Sequence, residues 1–320
     1  MITSQRPVVW IAEPEGFCTA AKRILESHSQ VIYQKVFPGE LIRVFSVCDA
    51  FFLRLGLKIQ ASDLNPGQRC KIIATPVTGL DHINLHACME NNIQLISMNG
   101  ETGFLYEVRA TAEHTFALLL ALIRNIVPAT QQVSEKKFDR DLFRGHELYQ
   151  KTIGIIGYGR LGKIIAGYAK TFGMAVRIHE IDKNKISSEP EFEFLSLSDL
   201  LSQSDYVSIH VDANEKNHHM VNDAFFSQMK RGSILINTSR GSLVDESALV
   251  FALKNSLISG AALDVVDGEP GVDFESKLFQ YQRTHSNLLI TPHLGGNTIE
   301  SFEKTECFIA QKIIEQLVHA

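Results

Sequence analysis

Three polar side chains follow predicted strands in the second half of the chain and could together move a proton and hold a carboxylate. They are Arg240 in Asn-Thr-Ser-Arg-Gly, Glu269 in Asp-Gly-Glu-Pro and His293 in Thr-Pro-His. A guanidinium can hold a carboxylate through two hydrogen bonds and polarise the adjacent carbonyl. A histidine paired with a glutamate keeps its orientation and exchanges protons near neutral pH. These residue types suit the interconversion of a 2-keto acid and a 2-hydroxy acid, provided that a hydride carrier is bound beside them.

Each of these residues also has an ordinary structural explanation. Most of the twelve histidines are expected on the surface or in packing contacts. Arg240 could be an ion-pair partner, and Glu269 before a proline could belong to an exposed turn. The residue types alone therefore leave both interpretations open.

A glycine-rich turn predicts a dinucleotide site. An apolar run at 152–156 precedes Gly-Tyr-Gly-Arg-Leu-Gly, and helix-forming residues follow it. In this context Gly157 permits the tight turn, Gly159 lets the backbone approach a pyrophosphate, and Gly162 lets the helix pack closely on the strand. The motif alone is weak because glycine-rich turns are common, and the flanking strand and helix make it informative.

The helix after this turn supplies the phosphate contacts, since the amides of Arg160 and Leu161 lie at its N-terminus. Glu180 ends the next predicted strand, where a carboxylate can accept hydrogen bonds from the adenosine ribose. This position favours NAD over NADP. Alternatively, Glu180 is a solvated strand end, and the nearby Lys183 and Lys185 leave some tolerance for a phosphate.

Short apolar runs rich in β-branched residues alternate with amphipathic stretches along the chain, which predicts an α/β fold. Predicted strands occupy 8–12, 31–36, 51–55, 71–77 and 93–98, then 152–156, 175–180, 206–211, 233–237, 260–265 and 288–290. We also expect one long helix at 105–126 and a last helix at 300–318. Six strands in the second series match a doubly wound nucleotide-binding domain.

Composition excludes several classes of protein. The 320 residues carry a formal net charge of −5 without a basic run, which argues against nucleic acid as a partner. No stretch approaches the roughly 20 apolar residues of a membrane helix, so we expect no membrane partner. The cysteines are odd in number and lack metal-type spacing, which predicts reduced thiols in a cytoplasmic protein. They are Cys18, Cys48, Cys70, Cys88 and Cys307.

Over nearly its whole length, the chain resembles the D-isomer-specific 2-hydroxyacid dehydrogenases, in particular phosphoglycerate and glycerate dehydrogenases. Six motifs occur in the family's order, at 78–83, 112–115, 157–162, 237–241, 264–270 and 291–296. The resemblance implies that Arg240, Glu269 and His293 are catalytic and that NAD is the cofactor. It also implies that the backbone amides of Thr78 and Gly79 grip the substrate carboxylate.

The resemblance assigns further residues to the cofactor site. Asp264 would hold the nicotinamide amide, and the other residues expected to line the cofactor are Thr115, His210, Val211, Thr238 and Gly295. Asp212 stands where many relatives have a proline. Arg54 falls where relatives specific for phosphorylated substrates often place an arginine, although it could equally be a strand residue in contact with solvent.

The family architecture implies two Rossmann-like or flavodoxin-like domains, with the dinucleotide domain inserted into a discontinuous substrate domain. We therefore expect a substrate domain at 1–102 and 297–320 and an NAD-binding domain at 103–296, with hinges near residues 100 and 297. The segment 105–150 resembles the arm through which such enzymes form homodimers. We expect no C-terminal regulatory domain of the kind found in some phosphoglycerate dehydrogenases.

Residues 214–222 suggest an alternative function, because they resemble the C-terminal binding protein branch of NAD-binding corepressors. In that reading the pocket senses NAD and a dimer surface recruits other proteins. The chain lacks long disordered or charged tails, which favours the enzyme. Adjacent His218 and His219 diverge, so we expect no metal site. The sequence leaves open which 2-hydroxy acid is used and whether it is phosphorylated.

Overall fold

The computed structural model describes residues 6–187 and 192–319 of the chain. These residues form two compact units, one containing the chain up to Val108 and again from Asn297, the other Arg109–Gly296. The strands are β1 (Val8–Ile11), β2 (Gln30–Tyr33), β3 (Ala50–Phe52), β4 (Ile72–Ala74), β5 (Gln94–Ile96), β6 (Thr152–Ile156), β7 (Ala175–His179), β8 (Glu193–Phe194), β9 (Tyr206–Ile209), β10 (Ile234–Asn237), β11 (Gly260–Leu263) and β12 (Leu288–Ile290). The helices are α1 (Thr19–His28), α2 (Leu41–Phe45), α3 (Leu85–Glu90), α4 (Thr102–Leu105), α5 (Ala110–Ile123), α6 (Ile126–Ser134), α7 (Arg160–Thr171), α8 (Lys183–Ser187), α9 (Leu197–Gln203), α10 (Asp223–Gln228), α11 (Glu246–Lys254), α12 (Lys277–Gln282) and α13 (Ile299–His319).

The first unit is built on a parallel sheet in the order β2-β1-β3-β4-β5. Strand β1 is buried along its whole length, as expected for a parallel strand covered on both faces. Helices α1 and α13 pack together against one face, where Ile309 and Ile313 join the core beneath them. Trp10, Phe45 and Phe51 belong to the core on the opposite face.

The second unit contains a parallel sheet in the order β12-β11-β10-β9-β6-β7-β8. This is the doubly wound arrangement with one further strand, β12, beyond β11. Helices α5 and α7 contribute to the core on one face, and α10, α11 and α12 contribute to the core on the other. Strand β6 lies between β9 and β7, so the strand order reverses beside the glycine-rich turn, where such sheets bind ligands.

The second sheet has one strand more than the six predicted. The strand that the sequence did not predict is β8, which has two residues and pairs at the edge with β7 through Arg177↔Glu193 and Ile178↔Phe194. So short a segment shows no alternation of apolar and polar residues, which is why the sequence did not reveal it.

The single long helix predicted at 105–126 is also wrong, because the chain forms three separate helices there. Asn125 lies between α5 and α6 and adopts a left-handed backbone conformation with φ of 51°, which separates the two helices. Pro128 then lies in the first turn of α6, where a missing N–H costs no helical hydrogen bond. Asparagine tolerates the left-handed region better than most residues, so Asn125 followed by Pro128 was an available signal for the break.

The first unit extends to Val108, beyond the sequence-based limit at residue 102. The reason is that Phe104, Leu105 and Val108 pack with the core of the first sheet.

By length and apolar composition, no single helix within 6–187 and 192–319 could cross a membrane. Thr102–Ile123 and Ile126–Ser134 meet that criterion only as a pair, which is bent by 62°.

Candidate active site

The loops that carry Arg240, Glu269 and His293 follow three neighbouring strands, β10, β11 and β12. The strands are parallel, so their carboxyl ends lie at one edge of the sheet. The first two loops touch, because a Cβ atom on Gly241 would collide with the backbone of Val266. Glycine is therefore required beside Arg240 for the loops to approach this closely.

His293 and Glu269 form a hydrogen-bonded pair. Nδ1 of His293 lies 2.6 Å from Oε2 of Glu269, and Oε1 of Glu269 accepts the N–H of Val266, also at 2.6 Å. The two side chains are 27% and 26% exposed. A carboxylate only accepts, so this network assigns the proton to Nδ1. Within 6–187 and 192–319, Nε2 has no hydrogen-bond partner, which leaves it available to a substrate.

Arg240 is half-buried and its loop is held by its neighbours. Its Nη1 donates to the carbonyl oxygen of Ser239 at 2.7 Å, and its own carbonyl accepts from Nδ2 of Asn237 at 2.8 Å. The hydroxyl of Ser239 donates to the carbonyl of Val211 at 2.5 Å. These contacts fix the backbone from which the guanidinium projects.

The glycine-rich turn has the shape that a dinucleotide needs. Gly157 adopts φ of +94°, and a Cβ atom there would strike the carbonyl of His210. A Cβ on Gly162 would collide with the carbonyl of Gly157, so the first turn of α7 packs directly on the loop. By contrast, the space around the missing Cβ of Gly159 is open, as required for a pyrophosphate to approach.

Helix α7 begins at Arg160, immediately after this turn, and Leu161 follows in its first turn. The helix has 12 residues, so its N-terminal amides and dipole favour an anion. Burial lowers the pKa of Arg160.

Glu180 lies directly after β7 and contacts the glycine-rich turn. Its carboxylate accepts from the N–H groups of Tyr158 at 2.8 Å and Asp182 at 2.9 Å, and Nζ of Lys185 lies 3.6 Å away. Burial alone would raise the pKa of Glu180, but these contacts outweigh it and lower the pKa. The site therefore presents an ionised carboxylate beside the turn.

His210 and Val211 follow β9 on the other side of β6. Nε2 of His210 lies 2.7 Å from the hydroxyl of Ser208, and burial lowers the pKa of the imidazole to about 3. Nδ1 of His210 is buried without a hydrogen-bond partner in the described part of the chain. This unpaired buried nitrogen lies beside the glycine-rich turn, where the space around Gly159 is open, and both features fit a bound NAD molecule.

The remaining candidate cofactor residues lie around Asp264, which follows β11 and is buried. Oδ2 of Asp264 accepts the N–H of Gly295 at 2.7 Å. The hydroxyls of Thr115 and Thr238 are 2.9 Å apart. His114, beside Thr115, also contacts Asp264, and sequence reasoning missed it although it lies in the motif at 112–115.

The candidate substrate residues of the first unit have different surroundings. Thr78 and Gly79 lie in the loop after β4, and their amides donate no hydrogen bond within the described residues. Arg54 follows β3, and its Nη2 donates to Oε1 of Glu306 at 2.6 Å. Its Nη1 donates to the carbonyl of Glu15 at 3.0 Å, so the guanidinium is largely held by the protein.

Comparison with known proteins identifies the family. The family model described as "D-isomer specific 2-hydroxyacid dehydrogenase, NAD binding domain" matches residues 116–295. The chain belongs to the D-isomer-specific 2-hydroxyacid dehydrogenases. Hydroxypyruvate reductase of Thermotoga maritima is 32% identical over 289 residues, which cover 90% of this chain and 91% of the relative.

Two further relatives extend the comparison. D-3-phosphoglycerate dehydrogenase of a Synechocystis species is 33% identical over 88% of this chain, which spans only 49% of that relative's length. The structure of D-lactate dehydrogenase from Aquifex aeolicus complexed with NAD and lactic acid matches with a TM-score of 0.83 at 29% identity, covering 98% of this chain and 95% of that one.

These comparisons confirm three expectations from the sequence: the family, the α/β fold with two Rossmann-like units, and NAD as the cofactor. This D-isomer-specific 2-hydroxyacid dehydrogenase is therefore an NAD-dependent oxidoreductase. Within the described residues, no cluster of three or more His, Cys, Asp or Glu side chains could hold a metal ion.

Proposed function

We propose that the protein reduces a small 2-keto acid to the D-2-hydroxy acid, with His293 and Glu269 as the acid/base pair and Arg240 as the substrate-binding cation. One observation carries the proposal: Nδ1 of His293 is bonded to Glu269 at 2.6 Å while Nε2 has no partner in the described part of the chain. An imidazole oriented in this way presents one nitrogen for proton transfer.

The roles of the three side chains follow from their chemistry. The guanidinium of Arg240 binds the substrate carboxylate and polarises the keto oxygen. Nε2 of His293 donates a proton to that oxygen as it becomes a hydroxyl, and the carboxylate of Glu269 stabilises the imidazolium from which the proton leaves. Bound NADH supplies the hydride. Oxidation of the hydroxy acid uses the same groups in reverse.

We also propose how binding is divided between the units. The first unit, which extends to Val108 and resumes at Asn297, contributes the amides of Thr78 and Gly79, whose N–H groups are available to a carboxylate. The second unit, Arg109–Gly296, binds NAD. Its proposed contacts are Thr115, Gly157, Gly159, Arg160, Leu161, Gly162, Glu180, His210, Val211, Thr238, Asp264 and Gly295.

The surroundings of Arg54 support a substrate without a phosphate group. Arg54 is paired with the carboxylate of Glu306 at 2.6 Å, so its charge is already compensated. Glu13 and Glu15 precede α1 nearby, and the Glu13 carboxylate accepts the backbone N–H of Arg54. A dianionic phosphate would have to compete with these groups. We therefore propose a substrate of the hydroxypyruvate or glyoxylate type.

We further propose that the protein is a cytoplasmic homodimer that uses the segment 105–150. Large apolar side chains in this segment are exposed, and such patches commonly mark protein interfaces. Between residues 126 and 149 they are Ile126, Val127, Val133, Phe138, Leu142 and Tyr149.

The proposal is tested by NADH oxidation, with NADPH in parallel, across glyoxylate, hydroxypyruvate, pyruvate, 2-ketoglutarate, phenylpyruvate and 3-phosphohydroxypyruvate. We expect hydroxypyruvate or glyoxylate to give the highest kcat/KM with NADH. His293→Ala should abolish turnover and keep NADH affinity, whereas His86→Ala, at an exposed site, should change neither. Folded protein that binds NADH tightly but turns over no substrate would instead indicate the NAD-sensing alternative.

A further inference from the structure

The loop that carries His293 has an unfavourable backbone conformation. His293 adopts φ of 55°, a left-handed value that is uncommon for residues other than glycine and costs free energy, although histidine takes it more often than most. Its own N–H donates to the carbonyl oxygen of Asp264 at 2.8 Å and to that of Thr291 at 3.0 Å. Such conformations persist only where surrounding contacts hold them. The imidazole therefore keeps its direction only as long as the loop at 291–295 is fixed.

The carboxylate of Asp264 fixes this loop from both sides of His293. Oδ1 accepts the hydroxyl of Thr291 at 2.6 Å and the N–H of Leu294 at 2.7 Å, while Oδ2 accepts the N–H of Gly295 at 2.7 Å. Asp264 is buried, so these bonds form away from water and are charge-assisted. Burial alone would raise the pKa of Asp264, but the four bonds it accepts, including one from His114, lower that pKa.

His114 supports this carboxylate from helix α5. Its Nε2 lies 3.1 Å from Oδ1 of Asp264 and 3.1 Å from the hydroxyl oxygen of Thr291. Thr291 already gives its only hydroxyl proton to Asp264, and a carboxylate cannot donate, so Nε2 of His114 must carry the proton. The side chain is 18% exposed and projects from a buried core helix, which gives the contact a rigid base.

We propose that His114 is a positioning residue, which holds the Asp264 carboxylate and through it keeps the His293 loop in its left-handed conformation. The inference rests on the proposed function, in which His293 transfers the proton. His114 itself touches neither Glu269 nor the ring of His293 by hydrogen bonding among the described residues. Its effect should therefore appear in proton transfer rather than in binding of the keto acid.

Two polar substitutions separate the N–H contact from the mere presence of a polar side chain. His114→Gln can place an amide N–H near the position of Nε2, whereas the shorter His114→Asn reaches only the position of Nδ1. We expect His114→Asn to lower kcat about 100-fold, since a misplacement of about 1 Å can cost that much. KM for hydroxypyruvate should change little, and His114→Gln should recover most of kcat.

A second measurement does not depend on turnover. In protein labelled with ¹⁵N-histidine, the Nδ1–H of His293 should give a downfield proton resonance because it is bonded to Glu269 at 2.6 Å. The signal is assigned by its absence in His293→Ala. It should survive in His114→Gln and exchange with water or disappear in His114→Asn.

The outcomes distinguish the two proposals. If His293→Ala still reduces the keto acids at the wild-type rate, the proposed function is wrong. If His293→Ala is inactive but His114→Asn keeps both kcat and the downfield resonance, only the positioning role is overturned. Equal losses in His114→Asn and His114→Gln would also overturn it, because the effect would then not depend on an N–H at the position of Nε2.

Discussion

In the proposed mechanism Arg240 binds the substrate carboxylate; its carbonyl accepts from Nδ2 of Asn237, and its Nη1 donates to the carbonyl of Ser239. A lysine at this position offers one point charge in place of a planar fork. We expect Arg240→Lys to lower kcat/KM for hydroxypyruvate about 100-fold, with changes in both kcat and KM. The matched control is Arg231→Lys at an exposed site, and equal activities of the two variants would contradict the role of Arg240.

Glu180 is the residue that should set the cofactor preference. Its carboxylate is ionised beside the glycine-rich turn and would repel the additional phosphate of NADP. We expect Glu180→Ala to weaken NADH binding about 10-fold, equivalent to about 1.4 kcal/mol, and to raise the ratio of NADPH to NADH affinity. Fluorescence titration measures both constants, with the exposed Glu215→Ala as control. Unchanged NADH affinity would refute the ribose assignment.

At the scale of an element, helix α7 contains two glycines with opposite surroundings. A Cβ on Gly162 collides with the carbonyl of Gly157, whereas one on Gly167 meets nothing. Gly162→Ala should destabilise the fold by about 1–3 kcal/mol and weaken NADH binding, because the glycine-rich turn must move. Gly167→Ala should stabilise it by about 0.5–1 kcal/mol by favouring the helix. Urea unfolding and NADH titration measure both, and similar results for the two variants would contradict the close packing.

At the scale of the whole molecule, the exposed apolar side chains at 126–149 form the proposed dimer interface. Phe138 is 92% exposed and Leu142 is 68% exposed. A double variant, Phe138→Asp with Leu142→Asp, should therefore be a monomer by light scattering after size-exclusion chromatography. Phe274→Asp, at a residue 62% exposed elsewhere in the same unit, should remain a dimer. A dimeric double variant, or a monomeric wild-type protein, would contradict the proposed interface.

Much of the fold was predictable because its signals are local. Parallel strands covered on both faces are continuous apolar runs, so most strands of both sheets lie where expected. The glycines of the turn at 157–162 mark positions where a Cβ atom has no room or a ligand must approach. Errors arose where local signals are weak: the two-residue strand β8, and the helix break at Asn125, which depends on one residue's backbone conformation.

The sequence by itself determined the family, the α/β class, the cofactor and the candidate site residues, because these depend on residue types at fixed spacing. Only the tertiary structure showed the pairing of Arg54 with Glu306 and of His114 with Asp264. Their partners lie far apart along the chain, and no spacing rule predicts which distant side chains meet. The left-handed backbone of His293 was likewise decided by tertiary contacts, since its N–H donates to the carbonyl of Asp264 and the Asp264 carboxylate accepts from the N–H groups of Leu294 and Gly295.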